Sequence, residues 1–400
     1  MREKASGITL IALVVTIVVL LILAGITMNL LLSDTGLLGK AQQAENAWRD
    51  AENSDINAIG ALGNQVNELL SGTGGGSTPD DPTKGPNGKP LVETATEIQT
   101  ESNLEAEDKY GNPVVVPKGF KVVVDETTNN ATTVAEGIVI EDEAGNQFVW
   151  IPTGIYKVDE SGTTKINELT RRQWGTTANV EQVPTPITGD GVAAGYNGNQ
   201  CYYGEGDERS IAHDTIDNFL NSAKPTSEGG NGGFYIGRYE QGEGNVCKAK
   251  VDAYVDVTRD TAKAQAEAMY TDKEQYGVTS ELISSYAWDT ALNFICQNSE
   301  HGYTLATTTD DTYGNIGTSN KTQTGGTPED CYSNIYDILG NCAEWTTEYS
   351  SGTYDGIAGP CVDRGSHCDS STHYAAGRYY DQTGSSSSYA VVSFRLSLYV

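Results

Sequence analysis

The 400-residue sequence predicts an α+β outer body carried on one long apolar helix, and three observations predict it. Residues 5–33 contain no charged side chain and are almost wholly apolar from Ile8 to Leu32. Residues 71–90 (SGTGGGSTPDDPTKGPNGKP) offer nothing to bury and read as a tether. Beyond them, short β-rich runs alternate with turn residues and two helical patterns, with no internal repeat.

The apolar run comes first. At about 1.5 Å per residue, Ile8–Leu32 makes a helix about 38 Å long, enough to cross a bilayer with some tilt. Arg2 and Lys4 precede it and Asp34 follows. The positive-inside rule then leaves the first residues in the cytoplasm and everything after Leu32 outside. The stretch Lys4-Ala5-Ser6-Gly7 before Ile8-Thr9-Leu10-Ile11 resembles the leader of type IV prepilins. The resemblance implies cleavage between Gly7 and Ile8, with residues 1–7 as leader. It departs at the fifth mature residue, Ala12, where pilins carry the Glu tied to subunit docking. A plain uncleaved anchor is the alternative. Leu37, Leu38, Ala41, Ala44, Trp48 and Ala51, then Ile59, Leu62, Val66 and Leu69, extend the helical periodicity as a stem, so residues 8–70 form one transmembrane and stem segment. Residues 71–112 are assigned as linker.

The outer domain spans residues 113–400. Val114–Val116 and Phe120–Val124 read as strands. Ile138–Ile140 and Gln147–Pro152 form a hairpin around Glu143-Ala144-Gly145-Asn146. Residues 261–270 and 280–296 carry the helical patterns, the second with Ser280 as N-cap. Gly340-Asn341 suits a left-handed turn. Trp345 is a core plug, and Phe394 and Leu396 alternate inward on a final strand while Arg395 faces another way.

Composition limits the function. Lys and Arg number 25 against 54 Asp and Glu, a formal charge of −29. Nucleic-acid binding is excluded, because phosphate contacts are made by Lys and Arg displacing counterions. The seven Cys form no C-x-x-C pair, so zinc ribbons and thioredoxin-like redox motifs have no support.

Five motifs carry a second resemblance: Gly233-Phe234-Tyr235-Ile236-Gly237-Arg238-Tyr239-Glu240, Tyr286–Leu292, Ile335–Thr346 (IYDILGNCAEWT), Asp363-Arg364-Gly365-Ser366 and Ser393-Phe394-Arg395-Leu396. In this order they resemble the formylglycine-generating enzyme/sulfatase-modifying-factor family, which implies a variant of the C-type lectin fold over residues 113–400. Family members that oxidise cysteine hold two thiols four residues apart. Here Cys368 stands near the first position, and Cys368–His373 contains no second Cys. Catalysis is therefore not expected and no cofactor is required. The resemblance does imply a structural calcium near the Gly340 turn, with Asn341 and Glu344 as its oxygen ligands; a turn-shaping Asn341 and a backbone-bonded Glu344 are the alternative.

Residues 367–389 (HCDSSTHYAAGRYYDQTGSSSSY) are polar yet lie between two core-like segments. Seventeen of these 23 are Ser, Tyr, Asp, His, Cys or Gly, too few apolar groups for a core. Tyr with Ser and Gly is the composition of antibody paratopes, where Tyr supplies rigid contact area and Ser and Gly adaptable hydrogen bonds. The expected ligand-binding residues are His367, Asp369, Ser371, His373, Tyr374, Arg378, Tyr379, Tyr380, Asp381, Ser386, Ser388 and Tyr389. The segment, bounded by residues 364–395, also resembles the variable region of proteins diversified by retroelements, in which mutation at adenines turns Asn codons into Tyr, Ser, Asp, His, Cys and Gly codons. The expected molecule is a pilin-like adhesion or recognition protein, anchored in the membrane or associated with a pilus, its outer domain extracellular. Its partners would be the membrane, pilus subunits and an extracellular protein or glycan. A formylglycine-generating-type modifying enzyme and a structural minor pilin are the two alternatives.

Overall fold

The computed structural model describes residues 81–171, 185–186, 212–213, 217–350, 353–354, 357–358, 361–370, 375–381 and 389–400. The Gly7–Ile8 junction, the apolar helix, the stem and the first ten linker residues lie outside these.

Eleven strands in two sheets organise the described body, the short Ala212–His213 and ten labelled here: β1 (Phe120–Val123), β2 (Val139–Asp142), β3 (Gln147–Pro152), β4 (Gly233–Gly237), β5 (Thr279–Leu282), β6 (Ala343–Ser350), β7 (Cys361–Arg364), β8 (Arg378–Asp381), β9 (Val392–Phe394) and β10 (Leu396–Tyr399). The six-stranded sheet runs β5-β10-β4-β3-β2-β1. The second runs from Ala212–His213 through β6 and β7 to β8, with β9 parallel to β6. The helices are α1 (Asp217–Ser222), α2 (Arg259–Ala268), α3 (Ser285–Asn298) and α4 (Thr304–Thr307).

The hairpin read from the sequence is β2–β3. Asp142 makes its turn: one carboxylate oxygen accepts the Asn146 N–H at 2.8 Å, the other accepts the Asn146 side-chain amide at 2.8 Å, and Gly145 supplies a φ of +88°. β3 is buried from Phe148 to Pro152, as expected of a strand covered on both faces. Trp150 packs edge-on against Tyr235 of β4, ring centroids 4.9 Å apart.

Three local readings are corrected. The second helix starts at Ser285, not 280, because Ser280 belongs to β5 and Ser284 is the cap, accepting the Ala287 N–H at 3.0 Å. Residues 91–112 are part of the folded unit, which begins at Asp81. Leu104–Glu107 pairs with Pro113–Val116, and Val92 and Ala106 are fully buried. Arg395 does not simply face away between two inward neighbours. It sits between β9 in one sheet and β10 in the other, and Phe394, Arg395 and Leu396 are all fully buried.

The fold class is corrected too. The described residues are mostly β-sheet with few helices, not the α+β body on a transmembrane helix that the sequence predicts. No helix among them is long and apolar enough to cross a membrane, and α3 reaches only 14 residues. The pilin-type transmembrane helix is thus no element of the described architecture and is not carried forward. The error has a simple origin. Helical periodicity is a strong signal over long windows, whereas strands of two to eight residues leave little period-two pattern to read.

Candidate functional site

The polar C-terminal segment hangs from a buried neck at the end of β7. Arg364 is fully buried, and its Nη2 meets Asp289 Oδ1 of α3 at 2.5 Å. The same guanidinium donates to the carbonyls of Gly377 (2.9 Å), Ala376 (3.2 Å) and Ser285 (3.3 Å). Trp288 lies beside it and gives its indole N–H to the Ala375 carbonyl at 3.1 Å. Gly365 donates to that carbonyl at 3.3 Å, and Ala376 donates to Ala306 at 3.0 Å. Arg364 and Gly365 on one side and Ala375–Gly377 on the other are therefore clamped together against α3 and α4. A buried Arg is suited to this task, since its fixed fork satisfies one carboxylate and several carbonyls at once.

Beyond the neck the chain returns as β8, antiparallel to β7 and at the end of the sheet order. The register sets Arg378 opposite Arg364, Tyr379 opposite Asp363, Tyr380 opposite Val362 and Asp381 opposite Cys361. Four of the expected ligand-binding residues thus occupy one terminal strand. His367 is half-buried and Asp369 exposed on the clamped loop. Burial holds the His367 imidazole below its usual pKa, opposed by the nearby Asp369 carboxylate. Tyr389 is placed differently from the expectation of an anchor for ligand. It is half-buried, its ring 6.3 Å from Trp345, and its carbonyl accepts the Asp256 and Val392 N–H groups. It serves as the foot on which the segment rejoins β9. Ser371, His373, Tyr374, Ser386 and Ser388 lie outside the described residues.

Behind this face is a buried polar centre. Gly340 and Asn341 have φ of +108° and +57°, the left-handed turn the sequence suggested. A Cβ on Gly340 would stand 2.3 Å from the Asn315 carbonyl, so only glycine fits. Asn341 donates to Glu240 Oε2 at 2.6 Å, and the Cys342 N–H to Glu240 Oε1 at 2.7 Å. Arg395 grips Glu344 through Nη2 (2.6 Å) and Nε (3.0 and 3.1 Å). Asp330 and Asp337 are buried nearby. Burial raises the pKa values of Glu240, Asp330, Asp337 and Glu344; repulsion from Asp337 adds to it at Glu240 and Asp330, and Asp337 is pushed up to about 7.

The calcium implied by resemblance does not fit Asn341 and Glu344 as they stand. Both Glu344 oxygens are held by Arg395. Asn341 Oδ1 already accepts the Thr322 N–H (2.8 Å), the Thr322 hydroxyl (3.2 Å) and the Asn315 amide (3.1 Å). Among the described residues no three His, Cys, Asp or Glu side chains are grouped to hold a metal.

Sequence reasoning missed the Arg364–Asp289 clamp, although both residues sat in quoted motifs. The readable signal was a lone Asp on the apolar helix pattern Tyr286–Leu292, which is costly unless paired.

No protein-family model matches the chain, and a search of curated proteins finds no relative. Among solved structures the chain is similar to PvdO from Pseudomonas aeruginosa, at 12% identity and a TM-score of 0.32, over 66% of this chain and 98% of that one. A likeness at that score carries no argument.

Proposed function

We propose that the chain is a recognition protein that binds a protein surface through residues 367–389, of which β8 is the described strand. The observation that carries this reading is the clamp: Arg364, Asp289 and Trp288 commit a buried, charged scaffold to holding the neck of a segment too polar to form core. Rigid support under a Tyr- and Ser-rich segment lowers the entropy that binding must overcome. That composition favours a protein over a glycan. The residue set fits retroelement diversification as well, and predicts a near-copy of the gene's last hundred or so bases nearby, differing at adenines.

Binding is favoured over catalysis by the state of the one thiol near the family's catalytic position. Cys368 is buried, and its pKa is raised by burial and by Asp369, the reverse of what an attacking thiol needs. The test is to screen the full chain against a displayed library of extracellular protein domains, with a glycan array as second arm. A hit should be lost in Tyr379→Ser/Tyr380→Ser and kept in Lys263→Ala on α2. Binding that survives the double Tyr change, or that occurs only on glycans, would overturn the assignment.

A further inference from the structure

The structure brings a second thiol to Cys368 that spacing along the chain does not reveal. The Cys368 N–H donates to the Asn341 carbonyl at 3.1 Å, which joins the 366–370 loop to the turn just before Cys342. A carbonyl oxygen lies about 2.8 Å from the next Cα across a trans peptide. Adding the hydrogen bond and one N–Cα bond, and allowing for the angles between them, sets the two Cys Cα atoms within about 7 Å. Disulfides span about 4.4–6.8 Å between Cα atoms. The side chains are both buried, at 1% exposure for Cys342 and 2% for Cys368. Burial is the first cause of the raised pKa at each thiol, and Cys368 adds a smaller rise at Cys342. The other described cysteines are placed elsewhere: Cys247 against Gln147 and Tyr239, Cys331 opposite Tyr336, Cys361 opposite Asp381 and Cys296 on α3.

We propose that Cys342 and Cys368 form a disulfide cross-link when the chain meets an oxidised low-molecular-weight disulfide, pinning the His367–Asp369 loop to the Gly340 turn. One cysteine thiolate attacks the small disulfide, forms a mixed disulfide and releases one small thiol. The other thiolate then attacks the protein sulfur of that mixed bond and releases the second. Two protein S–H bonds are replaced by one S–S bond, the small disulfide is reduced to two thiols, and the protons pass to them. Burial slows the exchange in the closed protein, so the reaction proceeds as the loop opens or while the chain folds. The link would close the 25 residues between the two cysteines, which include β6 and β7, and would fix the loop from which ligand residues project. It does not depend on what the face binds.

The test holds the full chain in a buffer of oxidised and reduced glutathione, blocks remaining thiols under denaturing conditions and maps peptides without reduction. Two of the seven thiols should disappear, the intact mass should fall by two hydrogens, and one linked pair should contain Cys342 and Cys368. The thermal midpoint should rise on oxidation and return on reduction. Cys342→Ala and Cys368→Ser should each abolish that reversible rise. A linkage of either residue to Cys201, Cys361 or another cysteine overturns the proposal, and so do two free thiols at these positions in folded, oxidised wild-type protein.

Discussion

Substituting Asp289→Ala removes the carboxylate that meets Arg364 Nη2 at 2.5 Å, while the guanidinium stays fully buried on its carbonyl partners. Losing one member of a buried ion pair costs about 3–5 kcal/mol, because the remaining charge is left uncompensated in a low-dielectric interior. With an unfolding entropy of about 2.1 cal/mol/K per residue over a unit running from Asp81 to Val400, that is a fall of about 4–8 °C in thermal midpoint. Calorimetry measures the midpoint, and amide hydrogen exchange measures where the structure loosens. The loss of protection should centre on Gly365 and Ala376, whose N–H groups close the neck. The double variant Asp289→Leu/Arg364→Met removes both charges of this pair and should recover most of the stability, while still freeing the 375–377 carbonyls to loosen the loop. A fall below about 1 kcal/mol for Asp289→Ala, or a double variant no more stable than the single, would refute the clamp as the element that holds the face.

Other consequences can be checked separately. Gly340→Ala should destabilise by about 2 kcal/mol or more, since the new Cβ meets the Asn315 carbonyl at a positive φ; urea midpoints measure this, and a neutral result would disprove the strained turn. Phe394→Ala should cost about 3–5 kcal/mol as a fully buried aromatic truncation, read from the same urea midpoints. The folded-state pKa of His367 lies below its unfolded value, so the contribution of this group to stability is present above an unfolded pKa of about 6.5 and is lost as pH falls through the folded pKa. An NMR titration should give a midpoint below about 6.5, and exchange in the 366–370 loop should quicken on acidification in wild type but not in His367→Gln. A midpoint above that value would contradict the burial argument.

What could be read from the sequence was local. The Asp142–Asn146 turn, the left-handed Gly340-Asn341 pair and the apolar periodicity of α3 each rest on residues within a few positions of one another. The charge of −29 and the Tyr-rich C-terminal segment likewise needed no fold to be seen. What tertiary structure decided was pairing at a distance. Ser284 caps α3 in place of Ser280 because Ser280 is drawn into a sheet completed by β10, far along the chain. Tyr389, legible only as one more exposed aromatic, becomes the foot against Trp345. Arg364 and Asp289 are 75 residues apart, and Arg395 and Glu344 are 51 apart. Sequence can flag a charge on an apolar pattern, as at Asp289, but not its partner, because the pairing that offsets the cost of burial exists only once the chain has folded.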